Sequence, residues 1–232
     1  MPQEFDAYVD DYADQHNKSI RISGEAPDFF ANYKVFELQK MAQKWGMGAP
    51  QILDFGSGLG NSVPAFREHF PDINVTQSDL SLDSLGRAKE LHGGDEPQIK
   101  ILENRILADD NSFDIVFTAC VFHHIPHDEH DFWLKEILRV TKPNGRLVIF
   151  EHNPWNPLTR HAVRNCPFDV NAHLISSPLM SKRLRAAGWT DIKTTYHVFF
   201  PAILASWRVL DPALGWMPLG AQYSCSGRAP AV

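Results

Sequence analysis

The 232-residue sequence holds only three cysteines, Cys120, Cys166 and Cys225, set far apart and in no recognised metal-ligand or redox spacing. Their scarcity excludes a disulfide-stapled scaffold and suits reduced thiols in a cytoplasmic protein. Basic residues are also in short supply: 22 lysines and arginines face 28 aspartates and glutamates, a net charge of −6. A general nucleic-acid binder needs a basic face to neutralise phosphates, so no nucleic acid is expected as a partner. No apolar run reaches membrane-spanning length, and the acidic opening MPQEFDAYVDDYADQH lacks the marks of a signal peptide. Internal repeats and low-complexity linkers are missing as well. What is left is an ordinary soluble composition, 44% hydrophobic and 22% charged, in a length that fits one domain.

Within that length, short apolar runs alternate with longer helical periods, the pattern of a parallel sheet covered by helices. FFANYKVFELQKMAQKW reads as an opening helix, QILDFG as strand one and SVPAFREHF as the helix behind it, with Pro64 tolerable in a first turn. INVTQSD is strand two, followed by a helix that Ser81 caps and Gly93 ends. IKILEN, FDIVFTACVF and RLVIFEH are strands three to five, the last two separated by the amphipathic helix EHDFWLKEILRVT and the stop KPNG. A proline-punctuated stretch beginning NPWNPLTRHAV suits a substrate loop. After it come a helix at SPLMSKRLRAAGW, a strand at TDIKTTYHVFF and, beyond a long connection, a returning strand at AQYSCSGR. The fold class is α/β, Rossmann-like and doubly wound, with helices on both faces. Residues 49–152 form its ligand-binding core, preceded by a helical cover (1–48) and followed by the substrate loop and the end of the sheet (153–232).

In such a sheet a ligand sits beyond the carboxyl ends of the central strands, closest to the turn after strand one. That turn, DFGSGLGN, places Asp54 before Gly56, Gly58 and Gly60, with Ser57 between. Dinucleotide sites use G-x-G-x-x-G, which would need glycine where Asn61 stands, and a P-loop would need a lysine. Asp54 would repel a pyrophosphate and favour a ligand bearing positive charge. These features count against a nicotinamide-dependent oxidoreductase.

The D-x-G-x-G-x-G turn resembles motif I of the class I S-adenosylmethionine-dependent methyltransferases, whose cofactor carries a sulfonium and an ammonium and no phosphate. VTQSDLS resembles the family's second strand, where an acid, here Asp79, meets the ribose hydroxyls, with Leu80 beside it. NSFDIVFTACVFHHI and RVTKPNGRLVIFEH are similar to its fourth strand, helix and fifth strand, with asparagine in place of a glycine in LKPGG. The resemblance covers roughly residues 50 to 200. It implies a seven-stranded sheet, mostly parallel with one antiparallel strand, S-adenosylmethionine as cofactor, and transfer of a methyl group to a small-molecule, glycan or lipid-linked acceptor. It also makes Glu103 and Asn104 candidates beside the adenine. The segment YADQHNKSIRISGEAP is similar to the cofactor-covering segment of small-molecule members, pointing to Tyr12 and to Ser23 or Gly24. A noncatalytic binding or partner subunit on the same fold is the alternative.

His123, His124, His127 and His130 crowd into HHIPHDEH, yet match no zinc spacing, so no metal is expected. His123 and His124 follow strand four, on the loop that borders the reacting group, where a neutral imidazole accepts a proton from an acceptor hydroxyl. Glu151 and His152 end strand five on the same edge, and strand alternation lets one of the two reach the ligand. Arg160 and Arg164 offer positive charge to a phosphate or carboxylate on the acceptor. Phe199, Phe200, Trp207 and Trp216 make the tail rich in aromatics, fit either for core or for an apolar acceptor site.

Overall fold

The architecture was taken from a computed structural model that describes residues 27–71, 74–166, 169 and 171–231. Tyr12, Ser23 and Gly24 lie outside the described residues. The chain opens on helix α1 (Pro27–Lys44), then runs β1 (Ile52–Phe55), α2 (Val63–His69), β2 (Val75–Asp79), α3 (Leu82–His92), β3 (Gln98–Leu102) and β4 (Arg105–Ile106). The second half runs β5 (Phe113–Ala119), a 3-10 turn (Phe122–His124), α4 (His130–Val140), β6 (Thr141–His152), α5 (Pro157–Arg164), α6 (Ser177–Ala186) and β7 (Thr190–His197). A 3-10 stretch (Ala202–Leu210), the short α7 (Asp211–Leu214) and β8 (Gln222–Arg228) complete it.

One eight-stranded sheet has the order β4-β3-β2-β1-β5-β6-β8-β7. β1 pairs in parallel with β2 on one side and β5 on the other, so the direction of winding reverses at β1 and leaves a crevice at the carboxyl ends. β8 returns antiparallel between β6 and β7, as the long connection anticipated. The sheet holds one strand more than the seven expected, and a second antiparallel one: β4 folds back on β3 through the turn at Glu103 and Asn104. Two residues carry no periodicity, which is why this strand is invisible in the sequence.

Period-two alternation sorts the strand side chains into two cores. Leu53, Val116, Leu147 and Ile149 pack with α4 and α6 through Trp133, Leu134, Met180 and Leu184. Ile52, Ile115, Phe117, Val148 and Phe150 pack with α1 and α2 through Val35, Leu38 and Phe66. Burying side chains of this size contributes about 1.5–3 kcal/mol each, so both faces of the sheet must stay covered. Local signals hold too. The Ser81 hydroxyl accepts from the Ser84 N–H, Gly93 ends α3 with a positive φ, and Asn144 of KPNG takes a left-handed φ of 62°.

Candidate active site

The turn after β1 is pinned to β2: the N–H groups of Gly56 and Ser57 donate to the Ser78 carbonyl at 2.8 and 2.9 Å. Gly58 has a φ of 52°, a region costly to other residues, and a Cβ built on it would meet nothing within 4 Å. The space in front of it is open. Gly56 differs, since a Cβ there would strike Val121 at 2.6 Å, locking this turn against the one after β5. The Ser57 hydroxyl is buried with no hydrogen-bond partner among the described residues, a polar group left for a ligand.

Two carboxylates flank this turn. Asp79, at the end of β2, accepts from the Gly58 N–H at 2.8 Å and the Ser81 N–H at 2.9 Å, bracing the glycine turn against the start of α3. Asp54 is buried in β1, and burial, reinforced by the charge of Asp79 and opposed by Lys34, pushes its carboxyl up to about 7. A cation arriving here relieves both the burial of that charge and the repulsion between the two acids. Leu80 is exposed next to Asp79, and Glu103 and Asn104 lie exposed at the β3–β4 turn, beyond the carboxyl end of β3.

On the far side of the crevice the chain leaves β5 through Cys120, whose φ is 60°, and enters the 3-10 turn that carries His123 and His124. Glu151 and His152 meet this turn from opposite faces of β6. Glu151 continues the register of Leu147 and Ile149, is fully buried, accepts from the Phe122 N–H at 2.8 Å and lies 2.6 Å from His123 Nδ1. Burial works against a charged imidazole, but the Glu151 carboxylate overrides it and holds His123 up at about 10. His152 continues the register of Val148 and Phe150, on the side where Lys34 of α1 donates to Cys120 Sγ at 3.2 Å. Burial would raise the Cys120 thiol, yet Lys34 and His152 outweigh it and bring it down to about 6. Sequence reasoning expected one of the pair Glu151 and His152 to reach the site. In the structure Glu151 meets the His123 side chain and the Phe122 N–H, and His152 meets Cys120.

Asp169 completes the cluster from a segment 45 residues away in sequence from His124. The His173 N–H donates to the His123 carbonyl at 2.8 Å, and the Asp169 N–H to the Cys166 carbonyl at 3.0 Å, which ties this loop across the histidine turn. Asp169 Oδ1 then stands 3.4 Å from His123 Nε2 and 3.5 Å from His124 Nε2. Burial, together with the charge of His123, lowers His124 to about 4, so its ring is neutral at physiological pH. His127 and His130 turn elsewhere, to the carbonyls of His173 and Ile125. Arg160 and Arg164 lie on the exposed face of α5. Asp169, Lys34 and Cys120 were not among the candidates read from sequence. No spacing rule could find them, since each comes from a different segment.

A family profile described as a methyltransferase domain matches residues 53–149, which run from β1 through β6 and include both sides of this site. The stretch that carries the glycine and histidine turns is thus similar to a methyltransferase domain. The open space at Gly58, the Ser57 hydroxyl without a partner among the described residues and the paired acids suit a cationic ligand such as the S-adenosylmethionine used by such domains. Among curated relatives, the demethylmenaquinone methyltransferase of Streptomyces avermitilis is 26% identical over 220 residues, 83% of this chain and 88% of that protein. The ubiquinone/menaquinone biosynthesis C-methyltransferase of Desulfotalea psychrophila is 30% identical over 108 residues, 46% of this chain and 43% of that one. The 2-methyl-6-phytyl-1,4-hydroquinone methyltransferase of a Synechocystis strain is 31% identical over 137 residues, 56% of this chain and 41% of its own length. The chain thus spans less than half the length of these last two relatives. Among solved structures, an S-adenosylmethionine-dependent methyltransferase of Thermotoga maritima, described as a possible histamine N-methyltransferase, superposes with a TM-score of 0.67. It is 17% identical, and the match covers 99% of this chain and 100% of that one, a likeness of fold.

Proposed function

We propose that this protein is a methyltransferase acting on a small-molecule acceptor whose reacting group is polar and whose remainder is an apolar chain. The observation that carries the reading is the convergence of two unlike half-sites at the carboxyl ends of β1, β5 and β6. One is a glycine turn between two acids, and the other a cluster of imidazoles and carboxylates. S-adenosylmethionine supplies a methyl group already activated on a sulfonium, transferred in line to a nucleophilic oxygen, nitrogen or carbon with release of S-adenosylhomocysteine.

The chain's own residues bind and orient. Asp54 meets the positive charge of the cofactor, and Gly58 gives it a close approach. Asp79, and Glu103 and Asn104 at the β3–β4 turn, take its ribose and adenine side. Ser57 offers its hydroxyl. On the opposite side, His124 presents a neutral ring to the acceptor and takes its proton where a hydroxyl is methylated. His123, clamped by Glu151, fixes the turn that carries His124. Alignment of the two half-sites is itself a large part of the rate, since a positioned pair avoids most of the entropy cost of encounter.

An apolar chain on the acceptor is favoured by the connection between β7 and β8. Asn153, next after β6, donates to the carbonyls of Pro218 and Gly220, and Asn156 donates to that of Leu219, so this connection runs beside the end of β6. It leaves Ile203 90%, Val209 81% and Trp216 74% exposed, an unusual density of large apolar groups for a free surface. The curated relatives named for demethylmenaquinone and for a phytyl hydroquinone point to the same kind of acceptor. Arg160 and Arg164 on the exposed face of α5 suit an acidic group on such a molecule.

The test is transfer of labelled methyl from S-adenosylmethionine to paired acceptors, hydroquinones with and without a prenyl chain. The chain-bearing member is expected to show a KM lower by at least about tenfold, roughly 1.4 kcal/mol. Equal use of both would remove the apolar chain from the reading. Bound cofactor with no transfer to any acceptor would favour the noncatalytic partner.

A further inference from the structure

The set formed by His123, His124 and Asp169 has the chemistry and spacing of a metal site, although the histidine-rich segment by itself does not. One ligand atom from each of the three, a ring nitrogen of each histidine and a carboxylate oxygen of Asp169, lies within 4.8 Å of the other two. The Asp169 oxygen is 3.4 Å from one nitrogen and 3.5 Å from the other. Both separations are longer than an ideal N–H···O bond, so His123 and Asp169 pair only as a weak one. They equally match a coordination edge: ligand atoms about 2.0–2.1 Å from a tetrahedral zinc are roughly 3.3 Å apart.

The support behind the ligands is of the kind metal sites use. A ligating imidazole commonly donates its second ring N–H to a carboxylate, which fixes both tautomer and orientation. Here Nδ1 of His123 lies 2.6 Å from the fully buried Glu151, so an ion that displaces the proton on Nε2, the atom facing Asp169, meets a ring already oriented. Glu151 is in turn held by the Phe122 N–H at 2.8 Å. His124 and Asp169 keep partial exposure, with side chains 22% and 12% accessible, so the set is not sealed from solvent.

We propose that His123, His124 and Asp169 bind one divalent transition ion of the zinc class, with Glu151 positioning His123 and the fourth coordination place facing the acceptor. Two imidazoles and a carboxylate favour zinc over magnesium or calcium, which prefer all-oxygen shells. An acceptor oxygen taking the open place is polarised and oriented by the ion, a Lewis-acid contribution to the reaction proposed above. Only this last step rests on that reading. With the ion bound, it takes the place of His124 as proton acceptor, since a coordinated imidazole nitrogen has no lone pair to offer; ion binding itself stands apart from methyl transfer.

The experiment is titration of the whole 232-residue chain, stripped of metal, with zinc and with cobalt(II), in the absence of cofactor and acceptor. One ion per chain is expected, with the visible absorption of tetrahedral cobalt. Asp169→Asn and His124→Ala should each weaken binding by at least about 100-fold, and Glu151→Gln by about 10–100-fold, the effect of losing an orienting carboxylate. His127→Ala, whose ring turns away from the set, should leave it unchanged. Circular dichroism keeps a misfolded variant from being counted as a loss. A folded protein that takes up no ion, or whose binding survives Asp169→Asn and His124→Ala but fails with His127→Ala, overturns the proposal. Calorimetry with S-adenosylmethionine on the same samples separates the readings, since cofactor binding can persist where metal binding fails.

Discussion

The two half-sites proposed above for cofactor and acceptor are built in different ways. The proposed cofactor side is nearly local: Asp54 to Gly60 is one turn, and Asp79 joins it through the Gly58 N–H while holding the Ser81 N–H at the start of α3. The acceptor side is assembled from four segments, Lys34 on α1, Cys120 to His124 after β5, Glu151 and His152 on β6, and Asp169 in the loop beyond α5. A turn whose backbone shape makes the site can be spelled in adjacent letters. A cluster whose function lies in the meeting of side chains has to wait for the fold.

Four changes would break or sharpen that contrast. The largest effect is expected at His124, where replacement by alanine should lower turnover by at least about 100-fold while S-adenosylmethionine affinity stays within about twofold. Steady-state kinetics paired with calorimetry reads this out, and full activity would take the ring out of the chemistry. Gly58→Val should act on the other side alone. A β-branched residue at a φ of 52° is strained, and its side chain fills the open space, so cofactor affinity should fall by about 100-fold, near 2.7 kcal/mol. Unchanged affinity in a folded variant would dissociate the turn from the cofactor.

A smaller and more diagnostic effect belongs to pH. Asp54 stands at about 7 in the free protein, and only its ionised form pairs with a cation. Below pH 7 the carboxyl is neutral, and ligand binding must expel its proton; above pH 7 the charge is already there. Affinity for S-adenosylmethionine should therefore rise by about tenfold from pH 6 to pH 8, and Asp54→Asn should flatten the curve. A flat profile in the unmodified protein would mean that Asp54 does not meet the positive charge. The smallest change is expected from replacing Arg160 and Arg164 together by alanine. The KM for an acidic acceptor should rise by a few-fold, about 0.5–1 kcal/mol for exposed charges, with kcat unmoved. No change in KM would leave the two arginines as a solvated helix face.

Most of the fold was legible because its signals are local and repeated. Alternation in QILDFG, FDIVFTACVF and RLVIFEH marks the buried strands, Ser81 caps α3, and Asn144 turns the chain ahead of the central run of β6. β4 was not, since Arg105 and Ile106 are too few to show a period, and only pairing with Leu102 and Ile101 makes them a strand. Among site residues, strand alternation does set Glu151 and His152 on opposite faces of β6, as the sequence expectation assumed. It missed that the loop after β5 wraps the end of β6, so that one residue meets His123 and the other the side of Cys120 and Lys34. The four histidines of HHIPHDEH read as one group, yet the 3-10 turn and the start of α4 send two toward Asp169 and two toward backbone carbonyls. Asp169 itself carried no signal, because its role depends on the His173 to His123 backbone bond that closes its loop over the turn.

The central claim is that the turn between Asp54 and Asp79 is made for a cationic cofactor, and parallel calorimetric titration with S-adenosylmethionine, S-adenosylhomocysteine and NAD tests it most directly. Saturable binding of the first two at one site per chain, with no heat from NAD, is the predicted result. Binding of NAD alone, or of none of the three by folded protein, would contradict it.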